Sequence, residues 1–129
     1  VRSRLPGDID LVAQGMFGNT AMGLIAPDQP LVDVDFASAF LLVSKAWENS
    51  RVSLRAEYFE TTDKDIAVDD DNDEHGNALT AAYIYYPAER QRLTFEALQI
   101  FSQRPERAFL GLPHKAKETQ FQVSYRFFF

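Results

Sequence analysis

Apolar and polar residues alternate along most of this chain with a period of two. The clearest stretch is 51–61, where Val52, Leu54, Ala56 and Tyr58 oppose Arg51, Ser53, Arg55 and Glu57. A strand sends successive side chains to opposite faces, so this stretch is a ribbon with one apolar and one polar face. The same period predicts strands at 8–16, 77–86, 92–102 and 119–129. Their apolar positions are Ile9, Leu11 and Ala13; then Leu79, Ala81, Tyr83 and Tyr85; then Leu93, Phe95, Ala97 and Phe101. Residues 32–47 make a longer candidate. There Val34, Phe36, Phe40 and Leu42 share a face with Ser38 and Ser44, and Asp35, Ala37, Ala39, Leu41, Val43 and Lys45 share the other. Its middle is poorly polarised and a helical period competes. The Ser and β-branched content, and the turn Glu48-Asn49-Ser50 that follows, favour a strand.

Turn formers set the connections. Residues 1–7 hold two Arg, a Pro and a Gly, and read as a turn or a cut end. Gly18, Asn19, Gly23, Pro27, Asp28 and Pro30 signal a long loop over 17–31. Residues 62–76 form an acidic loop, 87–91 a short turn led by Pro87, and 103–118 a long loop with Pro105, Gly111 and Pro113. Six strands are thus predicted, joined by connections that run long, short, long, short, long.

The final stretch, TQFQVSYRFFF, places Phe121, Val123, Tyr125, Phe127 and Phe129 on every second position. A tilted strand of about 9–11 residues also crosses a bilayer. This ending resembles the C-terminal signature of Gram-negative outer-membrane β-barrel proteins: a terminal Phe preceded by apolar residues at alternate positions, read by the barrel assembly machinery. All five alternate positions match. The resemblance implies an all-β fold, an antiparallel up-and-down transmembrane β-barrel of the porin-like kind, located in the outer membrane. Its partners would be outer-membrane lipid, lipopolysaccharide and the assembly machinery. With the C-terminus in the periplasm, the turns at 48–50 and 87–91 fall on that side and the three long loops fall outside. Trp47, Tyr85, Tyr86 and Phe127 to Phe129 then gather at periplasmic strand ends, and Phe17, Phe36, Tyr58, Phe59, Phe101 and Phe121 near extracellular ends. Bacterial single-chain barrels begin at about 8 strands. Residues 1–129 are therefore expected to be the C-terminal portion of one larger barrel domain, with a secretory signal upstream or removed.

Composition narrows the remaining classes. No run of 18 apolar residues occurs among the 129, which excludes a helical membrane span but not a barrel. There is no cysteine, so disulfides and thiolate metal sites are absent. The net charge of −6 equals that of the 62–76 loop alone, where seven acidic residues face Lys64, so no nucleic-acid footprint remains elsewhere. Within that loop Asp69, Asp70, Asp71, Asp73 and Glu74 offer hard oxygen ligands. They fail the EF-hand template, with Glu74 at position 6 and Thr80 at position 12, and a solvated loop is expected with no metal and no cofactor. Catalytic signatures such as G-x-S-x-G, H-E-x-x-H and Walker A are missing, His75 and His114 fall in separate loops, and an enzyme is not expected.

Alternation does not say which face points outward. A soluble lipocalin-like barrel would turn the apolar face in, toward an apolar ligand. The membrane reading puts Val52, Leu54, Tyr58, Phe95, Val123 and Tyr125 in lipid. It gives the lumen Asp35, Lys45, Arg51, Arg55, Glu57, Glu96 and Arg126. Facing Arg and Glu rows would bias the charge of a passing solute, or would merely seal the interior. The expected function is passive diffusion of small hydrophilic solutes through a porin-like channel, with assembly into a homo-oligomer left open. The alternative is a closed barrel serving as anchor, adhesin or surface receptor. The basic residues of the last loop, Arg104, Arg107, Lys115 and Lys117, are placed to pair with the acidic loop or with lipopolysaccharide phosphates.

Overall fold

The computed structural model describes residues 1–23, 31–65 and 71–129. These form one sheet of seven strands in sequential order: β1 (Arg2–Leu5), β2 (Ile9–Met22), β3 (Val32–Ala46), β4 (Ser50–Asp63), β5 (Glu74–Tyr85), β6 (Gln91–Gln103) and β7 (Lys115–Phe127). Every neighbouring pair is antiparallel, so the chain is an all-β up-and-down meander. The sheet is open, with β1 and β7 as its edges.

There are seven strands rather than six because the N-terminal stretch pairs. Residues 1–7 were expected to be a turn or cut end, yet Arg2–Leu5 lies against Val12 to Ile9. Four residues are too few to display a period, and only the partner strand reveals them. Gly7 and Asp8 turn the chain with φ of 80° and 58°, and Arg4 bonds Asp8 at 2.8 Å. The expected loop over 17–31 is also shorter, since β2 runs on to Met22. Gly18 is a weak strand residue, but the Phe36 ring lies across it from β3, 2.8 Å from where a Cβ would stand. The Asn19 side-chain amide donates to Asp35 across the same pair at 3.0 Å. Likewise β4 and β5 extend to Asp63 and back from Glu74, and β7 starts at Lys115, trimming the other two loops. Among the described residues one 3-10 helix, Pro105–Leu110, lies in the last loop.

The register sorts the strand residues onto two faces, because directly paired antiparallel residues point the same way. Leu42, Arg55, Thr80, Leu98 and Gln120 form one rung; Val43, Leu54, Ala81, Ala97 and Phe121 form the next, on the opposite face. The buried residues among those described, Ser44, Gly76, Ala78 and Ser102, all belong to the first face. Leu54, Leu79, Phe121 and Val123 belong to the second and are 58, 56, 78 and 67% exposed. No second layer of described residues covers either face. A lone sheet shelters one side only by curling toward it, so the first face is inner and the second outer.

The hairpins form a staircase. At the long-loop end β2 and β3 pair as far as Val32, whereas β6 and β7 stop at Lys115, level with Ala37 of β3. At the short-turn end β1 and β2 close at Ile9, level with Val123 of β7, while β7 runs on to Phe127. Both ends step the same way, as strands tilted about a common axis do.

Candidate functional site

Charge is concentrated on the inner face. Arg51, Arg55, Glu57, Glu96 and Arg126 share it, as their alternation predicts. Arg55 sits 2.8 Å from Glu57, with its guanidinium carbon 4.2 Å from the centre of the Phe40 ring. Arg51 reaches from β4 across β3 to β2, bonding Asp10 at 3.0 Å and the Ser44 hydroxyl at 3.1 Å. Arg2 approaches the same Asp10 at 3.7 Å. Between β3 and β6 lies a hollow of about 410 Å³ lined by Ser53, Arg55, Glu57, Thr80, Glu96 and Leu98. A hollow bounded by fixed cations and anions imposes a field on whatever enters it.

Asp35 and Lys45 do not join this set. Lys45 pairs with Val52 and Asp35 with Thr62, which places both on the outer face, and puts Phe36, Phe40 and Leu42 inside with Arg55. The alternation within 32–47 was expected to turn its larger apolar residues outward. It does not, because Phe36 covers Gly18 and Phe40 lies under the Arg55 guanidinium. Each ring has an inner-face task that its own strand does not reveal.

The outer face is charge-free between its ends. Along β3 it carries Ala37, Ala39, Leu41 and Val43 between Asp35 and Lys45. On β4 to β7 the outer charged residues Glu60, Lys115 and Lys117, and His75 with them, all stand near the long-loop end. His75 therefore lies in β5 and not in a loop. The polar side chain of Gln99 is satisfied within the face, donating to the Thr119 hydroxyl at 2.9 Å and the Glu118 carbonyl at 2.7 Å. At each end a lysine lies over an aromatic ring, Lys45 over Trp47 at 5.3 Å and Lys117 over Phe101 at 5.4 Å.

The aromatic grouping needs revision in part. Phe17, Tyr58 and Phe101 are outer residues near the long-loop end, and Trp47, Tyr85 and Phe127 lie near the short-turn end. Phe36 and Phe59 point inward instead, and Phe121 stands mid-strand, level with Leu54. Phe121, Val123, Tyr125 and Phe127 share the outer face of β7. Phe129 lies past its end, edge-on to Phe127 with ring centres 5.3 Å apart.

Of the acidic loop, Asp69 and Asp70 lie outside the described residues. Asp63, where β4 runs out into the loop, accepts from the Asn72 amide at 2.8 Å and the Asp65 amide at 3.0 Å. These bonds, the one from Asn72 first, hold its carboxyl below the usual range against an opposing effect of burial. Asp71 accepts from the Asp73 amide at 2.9 Å, and Asp73 from that of Asp63 at 2.7 Å. No group of three or more His, Asp or Glu among the described residues comes together as metal ligands.

The pairing of the two loops is partly realised. Arg107 bonds the Ser102 hydroxyl at 2.7 Å and approaches Glu74 at 3.6 Å, pinning the 3-10 segment to the inner face, while Arg104 pairs with Glu106 inside its own loop. Replacing Arg107 by Ala is expected to speed hydrogen exchange at the Gly111 and Leu112 amides by about tenfold, the loss of one charge-assisted bond. Unchanged exchange by mass spectrometry would show that the pin carries no load.

Comparisons with protein-family models, with curated proteins and with solved structures found no match. No helix among the described residues is long and apolar enough to cross a membrane, which says nothing of strands. What this sheet does is therefore argued from its own two faces.

Proposed function

We propose that the chain forms part of the wall of an outer-membrane β-barrel whose interior passes small hydrophilic solutes by passive diffusion, as a porin does. The observation that carries this reading is the charge-free outer belt. A buried Leu, Val or Phe is worth about 1.5–3 kcal/mol relative to an exposed one. A sheet in water would forfeit that at Leu54, Leu79, Phe95, Phe121 and Val123, whereas lipid recovers it. The positions of Asp35 and Lys45 supply a length. Ten steps along an antiparallel strand cover about 34 Å, and at a tilt of roughly 35–45° this is about 25 Å of height, that of a barrel's apolar band. Charges at those depths cost about 0–1 kcal/mol, against about 2–4 at the midplane for Arg or Lys.

The soluble alternative needs Leu54, Phe95 and Tyr125 turned inward, but they lie on the outer face and are 58, 44 and 58% exposed. Unpaired strand edges in lipid cost several kcal/mol per backbone group. The edges at β1 and β7 therefore call for further strands, from the same polypeptide or from another copy. The C-terminal aromatic alternation suits recognition by the barrel assembly machinery. The long loops then face outward, where Arg104, Lys115 and Lys117 stand near lipopolysaccharide phosphates.

Planar bilayers test the channel directly, with stepwise conductance as the expected result. Protein that inserts but never conducts would overturn the channel. It would leave the anchor or receptor reading, which the internal Arg51–Asp10 and Arg55–Glu57 pairs favour by neutralising the interior. In a salt gradient Arg55→Glu is expected to move the reversal potential toward cation preference. An unmoved potential would place Arg55 off the conduction path.

A further inference from the structure

Arginines on the inner face are matched by carboxylates, with two exceptions. Arg2 and Arg51 have Asp10, Arg55 has Glu57, and Arg107 above them has Glu74. Arg92 and Arg126 have no carboxylate within 4.0 Å among the described residues, although they are direct register partners on β6 and β7. Like charges placed opposite each other across strands repel. The Nε of Arg92 is shielded from solvent and has no hydrogen-bond partner, and its guanidinium carbon stands 5.9 Å from the centre of the Phe128 ring. Glu96, the nearest acid on the same face of β6, is four residues along, roughly 13 Å at the strand rise and too far to neutralise them. The next inner rung is Thr94 opposite Ser124, which sets two hydroxyls beside the two guanidinium groups.

We propose that Arg92 and Arg126, with Thr94 and Ser124, form a binding site for an oxyanion on the inner face near the short-turn end. A guanidinium presents paired N–H donors in a planar fork that fits two oxygens of a carboxylate or phosphate. One such group seated between the two forks replaces their repulsion with two charge-assisted contacts and leaves further oxygens for the hydroxyls. Arg126 is on the edge strand, so the oxyanion has two possible sources. It is a free solute reaching the inner face, or an acidic side chain on the strand that adjoins β7. The site is independent of the channel reading.

The test uses the full chain folded in detergent micelles at low salt and titrated with inorganic phosphate by calorimetry. Saturable binding is expected, weakened at least tenfold by Arg92→Gln or Arg126→Gln and unchanged by Arg4→Gln, each variant first checked for the same β circular dichroism. Arg92→Lys keeps the charge without the fork and is expected to bind more weakly than the parent and more tightly than Arg92→Gln. No saturable binding, or equal binding by the parent and the double Gln variant, overturns the site. Phosphate block of chloride current in bilayers, lost in the same variants, assigns the source to solutes. Binding in micelles without block in a conducting assembly assigns it to the adjoining strand. Absence of any current counts against the channel and leaves the micelle result standing.

Discussion

Replacing Leu54 by Arg is expected to destabilise the folded protein in lipid vesicles by about 2–4 kcal/mol, whereas Ser53→Arg changes it little. The two residues are neighbours in β4, and the side chain introduced is the same, as is the change in charge. Only the face differs. Leu54 belongs to the outer rung of Val43, Ala81, Ala97 and Phe121, at the middle of the uncharged outer stretch of β4 that runs from Ser50 to Tyr58. Ser53 lies between Ser44 and Ala82 on the inner face, with Glu96 two strands away on the same rung. In lipid the new Leu54 guanidinium has hydrocarbon around it and no strand end near enough to reach past. The Ser53 guanidinium has water and a carboxylate. Denaturant titration in vesicles reads the difference. Equal losses at both positions, or a greater loss at Ser53, would mean that the outer face does not meet lipid.

The second large effect is expected at Gly76, where Ala should cost about 1–3 kcal/mol through overpacking. A Cβ there would stand 2.5 Å from the Phe101 carbonyl oxygen and 2.5 Å from the Phe59 ring. The ring could swing aside, but the carbonyl is held in the β5–β6 ladder and cannot. Gly15 is the internal comparison, since its nearest atom to a built Cβ is the Ser38 carbonyl oxygen at 4.0 Å. There Ala meets open space and removes backbone freedom from the unfolded chain. Gly15→Ala should therefore be neutral or stabilising by up to about 1 kcal/mol. Identical unfolding midpoints for the two variants would contradict the close approach at Gly76.

Much of the sheet was readable from its period. The strands β4 to β7 follow directly from alternation, because one side of each carries most of its apolar residues and all of its larger aromatic ones but Phe59. Their hairpin parity follows from where Gly, Pro and Asn fall. What stayed hidden has one physical cause: the deciding partner sits on another strand. Arg2–Leu5 becomes a strand only against β2. Gly18 is tolerated in β2 because Phe36 covers it, and that same ring reverses the apparent polarity of β3. Asp35 and Lys45, expected on the face of Arg55, lie opposite it for this reason, while Arg51, Arg55, Glu57, Glu96 and Arg126 do share one face. The Arg92–Arg126 opposition needed the register, since the two lie on different strands with a long loop between them. The pin at Arg107 was legible only as a charge balance between two loops, with Ser102 unforeseen.

The outer edge of β7 has no neighbour among the described strands. From Thr119 to Tyr125 it presents seven residues without a charge, a proline or a glycine. Such a segment is the raw material of a steric zipper, in which identical strands stack and every backbone group finds a mate above and below. The feature that suits this strand to being joined by another thus makes it hazardous in water. Until this edge is paired the chain needs an escort that masks it, and purified protein left without detergent should form cross-β deposits seeded at this strand.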